Sequence, residues 1–165
     1  MKLLTPSFEI ITKIEPETIL STIEKAGRMC YKSEGKITDF ENTKKFVRGL
    51  IKRKHFAMIE HQSITVKFVC DRGVSHEIVR HRIASFAQES TRYCDYSDSG
   101  EKGGINMITP FFFTEGKQRA EVSAEVALQM FNVWYEAMLA AEEYYNKLIS
   151  LGALPEEADQ CSLIL

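Results

Sequence analysis

Asp71-Arg72-Gly73-Val74-Ser75-His76-Glu77-Ile78-Val79-Arg80-His81-Arg82-Ile83-Ala84-Ser85-Phe86-Ala87-Gln88-Glu89-Ser90-Thr91-Arg92-Tyr93 is the densest run of chemically active side chains in the sequence. Four arginines, two histidines and three serines share it, in a chain whose 21 Lys+Arg against 23 Asp+Glu leave a net charge of −2. Guanidinium forks match phosphate and carboxylate oxygens, and clustering them costs repulsion unless an anion offsets it. The plain alternative is a solvated basic helix face. The balanced total charge excludes a global basic field for DNA or membranes, so any anion site must be local.

The elements around this run are read from periodicity. Upstream, Ile64-Thr65-Val66-Lys67-Phe68-Val69-Cys70 nearly alternates apolar and polar residues, the mark of a strand. Within the run, Val74, Ile78 and Val79 predict a short helix over 73–82, and the polar stretch 85–93 predicts a turn into an extended segment. Residues 97–104 read as a loop and 105–109 as a weak strand. Residues 8–14 read as a first strand. Glu15-Pro16-Glu17 then opens a helix with Ile19, Ile23 and Ala26 or Met29 on its inner face and Gly35 past its end. Thr38 and Glu41 form a capping box for a helix running to Arg53.

The longest pattern covers residues 120–151. Val122, Val126, Met130, Val133, Ala137, Ala141, Tyr144 and Leu148 step by four or three, widened by Phe131, Trp134 and Met138. Such a helix would reach ~48 Å, so it is either broken in the middle or packs partly against another subunit. The class is α+β, an antiparallel or mixed sheet flanked by helices with one long C-terminal helix.

With 165 residues, 44% hydrophobic and 27% charged, the composition is that of one globular domain over residues 1–165 and excludes disorder, collagen and coiled coil. No apolar stretch reaches a membrane span and no signal peptide is recognisable, so the expected location is the cytoplasm, with Cys30, Cys70, Cys94 and Cys161 reduced. No zinc motif is present. His76-Glu77 and His81 look like a zinc-protease signature, but five residues place the rings roughly 140° apart on a helix. Ser85, Ser90 and Cys94 lack an activating nucleophile context.

Arg80-His81-Arg82, seven residues, then Ser90 and Arg92-Tyr93 resembles the signature of the flavin-dependent thymidylate synthases. His55-Phe56-Ala57-Met58-Ile59-Glu60-His61 resembles that family's upstream His-x-[Ser/Thr]-x-x-Glu-His segment, and the likeness extends from about Phe8 to Ala158. The resemblance implies reductive methylation of deoxyuridylate (dUMP) to thymidylate, with methylenetetrahydrofolate giving the carbon and NADPH the reducing power through FAD. It implies flavin contacts by His55, Ala57, Glu60, Arg80, His81, Arg82, Ile83 and Gln88. It implies nucleotide contacts by Glu77, Arg80, Gln88, Ser90 and Arg92, with Arg80 and Ser90 in the catalytic role and Ser90 hydrogen-bonding the nucleotide rather than attacking it. A homotetramer sharing the FAD pocket between subunits is implied as well. The nucleotide, the flavin and the nicotinamide cofactor all carry phosphates, which suits an arginine cluster on an acidic chain.

Three positions depart from the family pattern. Ala57 stands where Ser or Thr is usual, which removes a hydroxyl contact to the flavin, and Glu77 stands where many members have Gln, which sets a carboxylate near an anionic substrate. After Pro155-Glu156-Glu157-Ala158 the family continues with an arginine and a further segment, whereas here Asp159-Gln160-Cys161-Ser162-Leu163-Ile164-Leu165 follows. Codons for these seven residues can be chosen that, with one A restored, regroup as Arg-Ser-Val-Leu-Pro-Asn-Ser, so a shifted frame with a missing C-terminal segment is one expectation and a naturally short paralogue the other, with impaired activity. The alternative to an enzyme is a non-enzymatic nucleotide- or nucleic-acid-binding module using the same arginines, which the near-neutral charge disfavours.

Overall fold

The computed structural model describes residues 1–97, 104–113 and 122–162. Its elements are β1 (Lys2–Leu4), β2 (Ser7–Ile10), α1 (Pro16–Met29), α2 (Phe40–Lys52), β3 (Val66–Val69), α3 (Arg72–Ile78), β4 (Asn106–Ile108), α4 (Ala124–Ser150) and α5 (Pro155–Ala158), with short 3-10 turns between several of them. The sheet component is two two-stranded ladders: β1 with β4 in parallel, Leu3 opposite Met107, and β2 with β3. The chain divides into two compact units, one of residues Phe8–Lys67 and one of Met1–Ser7 with the chain from Phe68 onward.

In the Phe8–Lys67 unit, α1 and α2 pack around Ile23, Val47 and Leu50, with Ile19, Leu20, Phe46, Met58 and Ile59 against them. Glu24, 1% exposed, sits in this interface: its carboxylate accepts from Arg28 Nε and from Thr43 Oγ1, both at 2.6 Å. Of the two alternatives for the inner face of α1, Ala26 is half-buried and Met29 exposed, and Gly27 is buried where Phe46 and Leu50 of α2 come close. Gly35 lies in the 3-10 turn Glu34–Lys36. The cap of α2 is Asp39 rather than Thr38. Its carboxylate, a stronger acceptor facing the helix N-terminus, takes the Asn42 N–H at 3.0 Å, while Glu41 pairs with Lys44.

The first strand is shorter than the expected 8–14. After Ile10 the pairing continues in another form, with Ile11 N–H donating to the Thr65 carbonyl at 2.9 Å and the Thr65 N–H donating to Thr12 Oγ1 at 2.8 Å. A side-chain hydroxyl thus replaces a backbone carbonyl and ends the ladder. Helix α3 also stops early, at Ile78, so Arg80, His81 and Arg82 lie beyond it. Arg80 N–H and His81 N–H bond back only three residues, to Glu77 and Ile78. From Val79 to Glu89 every residue is exposed, so no buried face supports further turns.

In the other unit, Ile105, Met107, Met138, Tyr145 and Ala158 form the core, and Phe113, Phe131 and Trp134 meet edge-on or tilted beside it. The Met1 ammonium lies 2.6 Å from Glu142 Oε1, which also accepts from Ile105 N–H. Helix α4 is unbroken for 27 residues, about 40 Å. Ser123 caps its start. Its end is a Schellman turn: Gly152, at φ +95, donates to Ile149 and Ala153 donates to Leu148, with Pro155 opening α5 beyond. The stripe expected to be inward is largely outward, with Val126, Met130, Val133 and Tyr144 exposed (Val133 69%), while Met138, Glu142 and Tyr145 are buried. Apolar residues surround α4 on several sides, so periodicity alone did not select the covered face. Residues 120–121 and 98–103, parts of the expected helix and loop, lie outside the described residues. Among the described residues no helix is long and apolar enough to cross a membrane.

Candidate active site

The upstream half of the expected site follows α2. Lys54 adopts a left-handed conformation (φ 60), and His55 N–H returns to the Leu50 carbonyl at 3.0 Å, turning the chain into the 3-10 turn Phe56–His61. Met58 and Ile59 pack on the α1–α2 core, which leaves His55, Ala57 and Glu60 on the exposed side of the turn. This half belongs to the Phe8–Lys67 unit. Glu77, Arg80, His81, Arg82, Ile83, Gln88, Ser90 and Arg92 belong to the other.

There the Asp71 carboxylate caps α3 by accepting from Val74 N–H at 2.9 Å. Glu77 and Arg80 face one another at the helix end, Arg80 Nη1 lying 3.2 Å and 3.4 Å from the two carboxylate oxygens. Both side chains are about three-quarters exposed, and such a pair contributes ~0–1 kcal/mol, so Arg80 is oriented but remains able to meet a stronger anion. Among the described residues Arg82 and Arg92 have no ion-pair partner. Ile83 is 87% exposed and Tyr93 88%. The segment therefore presents cationic forks, an imidazole and bare apolar surface together.

At Ser90 the chain regains cover. Arg92 N–H donates to Ser90 Oγ at 3.3 Å, and Cys94 N–H to the Ser90 carbonyl at 3.0 Å, which makes one tight turn. The Ser90 hydroxyl accepts within that turn, and among the described residues no acceptor takes its O–H. Residues missed by sequence reasoning hold the turn. Thr91 Oγ1 donates to Asp159 Oδ2 at 2.8 Å and accepts from Arg72 Nη1 at 3.2 Å. The Tyr96 hydroxyl donates to Glu89 Oε1, and Tyr96 N–H donates to the Tyr145 hydroxyl on α4. Burial, then the Glu89 hydrogen bond, pushes the Tyr96 phenol well up. Only the position of Thr91 between two site residues hinted at this. Cys94 is half-buried, and burial with the neighbouring Asp71 carboxylate pushes the Cys70 thiol up, away from nucleophile behaviour.

Residues 11–161 match the thymidylate synthase complementing protein family. The flavin-dependent thymidylate synthase of Geobacter sulfurreducens is 28% identical over 145 residues, 84% of this chain and 56% of its own. That of Mycolicibacterium vanbaalenii is 38% identical over 107 residues, 64% of this chain and 40% of its own. The chain spans about half the length of the curated relatives it matches. In fold it resembles the UMP/dUMP methylase PolB from Streptomyces cacaoi, solved with 5-Br UMP, with a TM-score of 0.72 at 22% identity over 97% of this chain and 67% of that one. A second PolB structure, with 5-Br dUMP, gives a TM-score of 0.74 over 98% and 69%. With the family match running through nearly all of the sequence, residues 55–61 and 80–93 included, the chain belongs to the thymidylate synthase complementing protein family.

Proposed function

We propose that this chain binds FAD and deoxyuridylate as a flavin-dependent thymidylate synthase, methylating the uracil ring with methylenetetrahydrofolate as carbon donor and NADPH as reductant. The observation that carries the reading is the run from Arg80 to Arg92 in a member of this family, where Arg82 and Arg92 have no ion-pair partner among the described residues and Arg80 has only the exposed Glu77. The donor set fits both ligands: guanidinium forks and a serine hydroxyl suit phosphate oxygens, and an imidazole and an amide suit ring carbonyls. FAD, when bound, supplies the reducing equivalents for the transferred carbon.

The protein's own groups bind and orient. Arg82, His81 and Ile83, with His55, Ala57 and Glu60, hold the flavin. Arg92 and Ser90 hold the nucleotide, and Arg80 and Gln88 serve both. The Ser90 O–H donates to the nucleotide while its oxygen accepts from Arg92 N–H, so the same bond that shapes the turn aims the hydroxyl. Glu77 competes with the ligands for Arg80, which lowers affinity and makes Arg80 respond to whichever anion arrives. The proposed assembly is a cytoplasmic homotetramer, and the apolar side of α4 from Val126 to Val133 is available for subunit contact.

The test is retention of flavin through gel filtration, with and without deoxyuridylate. Wild-type protein is expected to retain visible flavin, and more with the nucleotide. Arg82→Ala should lower flavin affinity, and Arg92→Ala nucleotide affinity, each by on the order of 10–100-fold for a lost charge-assisted contact. A folded wild-type protein that retains no flavin would refute the proposal. One that retained oligonucleotides without flavin would favour the non-enzymatic binding module.

A further inference from the structure

We propose that Thr91 is a positioning residue for the nucleotide, through a three-residue clamp of Arg72, Thr91 and Asp159; this rests on the function proposed above. The exposed segment from Val79 to Glu89 has no cover of its own, yet Ser90 and Arg92 must meet a phosphate at fixed spacing from Arg80. The chain is tied down between them. The Thr91 hydroxyl uses its donor on Asp159 Oδ2 at 2.8 Å and an acceptor position on Arg72 Nη1 at 3.2 Å, both bonds part-buried.

The two partners come from opposite ends of this unit. Arg72 is the first residue of α3, whose last turn carries Glu77 and leads into Arg80. Asp159 follows α5, where Ala158 is fully buried in the core with Met138 and Tyr145 of α4. One hydroxyl therefore fixes the Ser90–Arg92 turn against both the helix that leads to Arg80 and the core. Tyr96, through Glu89 and Tyr145, holds the other flank. With its carboxylate on Thr91, Asp159 acts on the nucleotide through that turn.

The test is deoxyuridylate titration of the FAD-loaded protein, read with flavin retention and thermal unfolding. Thr91→Val, nearly isosteric, loses both bonds and is expected to weaken nucleotide binding about tenfold, as for a lost hydrogen bond to a charged group. Asp159→Ala is expected to act likewise. Thr91→Ser keeps the hydroxyl and is expected to bind within about twofold of wild type. Flavin retention is expected to be unchanged in all three, because Thr91 and Asp159 are outside the proposed flavin set. Nucleotide binding by Thr91→Val equal to wild type would overturn the clamp. So would a parallel fall in flavin retention and thermal stability, which marks general unfolding. A wild-type protein that holds flavin but not deoxyuridylate would overturn the nucleotide assignment itself, and the clamp with it.

Discussion

Gly27 and Gly49 set up a comparison in which one substitution has opposite signs. Both sit inside helices, α1 and α2, where alanine should gain up to ~1 kcal/mol in propensity. At Gly49 an added Cβ would meet Arg53 Nη1 at 3.3 Å, the far end of an exposed, flexible side chain that can move. At Gly27 it would meet Phe46 Cε1 at 2.9 Å and Leu50 Cδ1 at 3.2 Å, against the ~3.5–4.0 Å of normal carbon contacts. Neither neighbour yields easily: Leu50 is buried, and the Arg28 guanidinium lies 4.4 Å above the Phe46 ring. Overpacking of this kind costs ~1–3 kcal/mol, which outweighs the helix gain. Gly27→Ala should therefore lose ~1–2 kcal/mol where Gly49→Ala gains ~0.5–1 kcal/mol. In urea unfolding followed by circular dichroism, the midpoints should move in opposite directions at equal slope, and the melting temperatures by ~2–4 °C per kcal/mol. In a Phe46→Leu background, Gly27→Ala should lose its penalty. A Gly27→Ala protein as stable as wild type, or more so, would refute the close α1–α2 approach.

Glu24→Ala strands the Arg28 guanidinium in the same interface and should cost ~3–5 kcal/mol, against ~1.5–3 kcal/mol for Thr43→Val. A double-mutant cycle should give a coupling above ~0.5 kcal/mol, and strict additivity would mean that the shared carboxylate is not the link. Two of the shifted groups give separate tests of pH dependence. The Asn42 N–H holds the Asp39 carboxyl below its ordinary value, so its contribution is present above about pH 4 and lost as pH falls below that; Asp39→Ala should flatten the acid limb of a melting profile. Burial raises the Tyr145 phenol, so its contribution is present below about pH 10 and lost as pH rises further. Tyr145→Phe should lower stability at neutral pH by removing the acceptor of Tyr96 N–H, yet show a shallower alkaline limb. An unchanged limb in either variant would contradict the assignment.

Much of the candidate site was legible in advance because its chemistry is written in residue types. The spacing from Arg80 through Ser90 to Arg92, and the His55–Glu60 segment upstream, named the family that the comparison bears out. The cap at Asp39 rather than Thr38, the early end of α3 and the exposure of Met29 were not legible, since each depends on which acceptor or packing partner wins at a given place. Thr91 and Asp159 stand 68 residues apart, and no local pattern joins them.

Local interactions settle what can be read one turn or one pleat at a time. The Pro16 helix start, the apolar–polar alternation around Val66–Val69 and the 27 helical residues of α4 are all of this kind, as is the arginine chemistry of the Arg80–Arg92 run. Burial is a property of pairs of distant segments. Residues 124–150 are apolar on several sides, and the contact of α4 with Ile105, Met107 and Ala158 chose Met138 and Tyr145 for the core and left Val126, Met130 and Val133 outside. In the same way, the arginines were visible in the chain, but the meeting of Arg72 and Asp159 at the Thr91 hydroxyl depends on segments far apart in sequence.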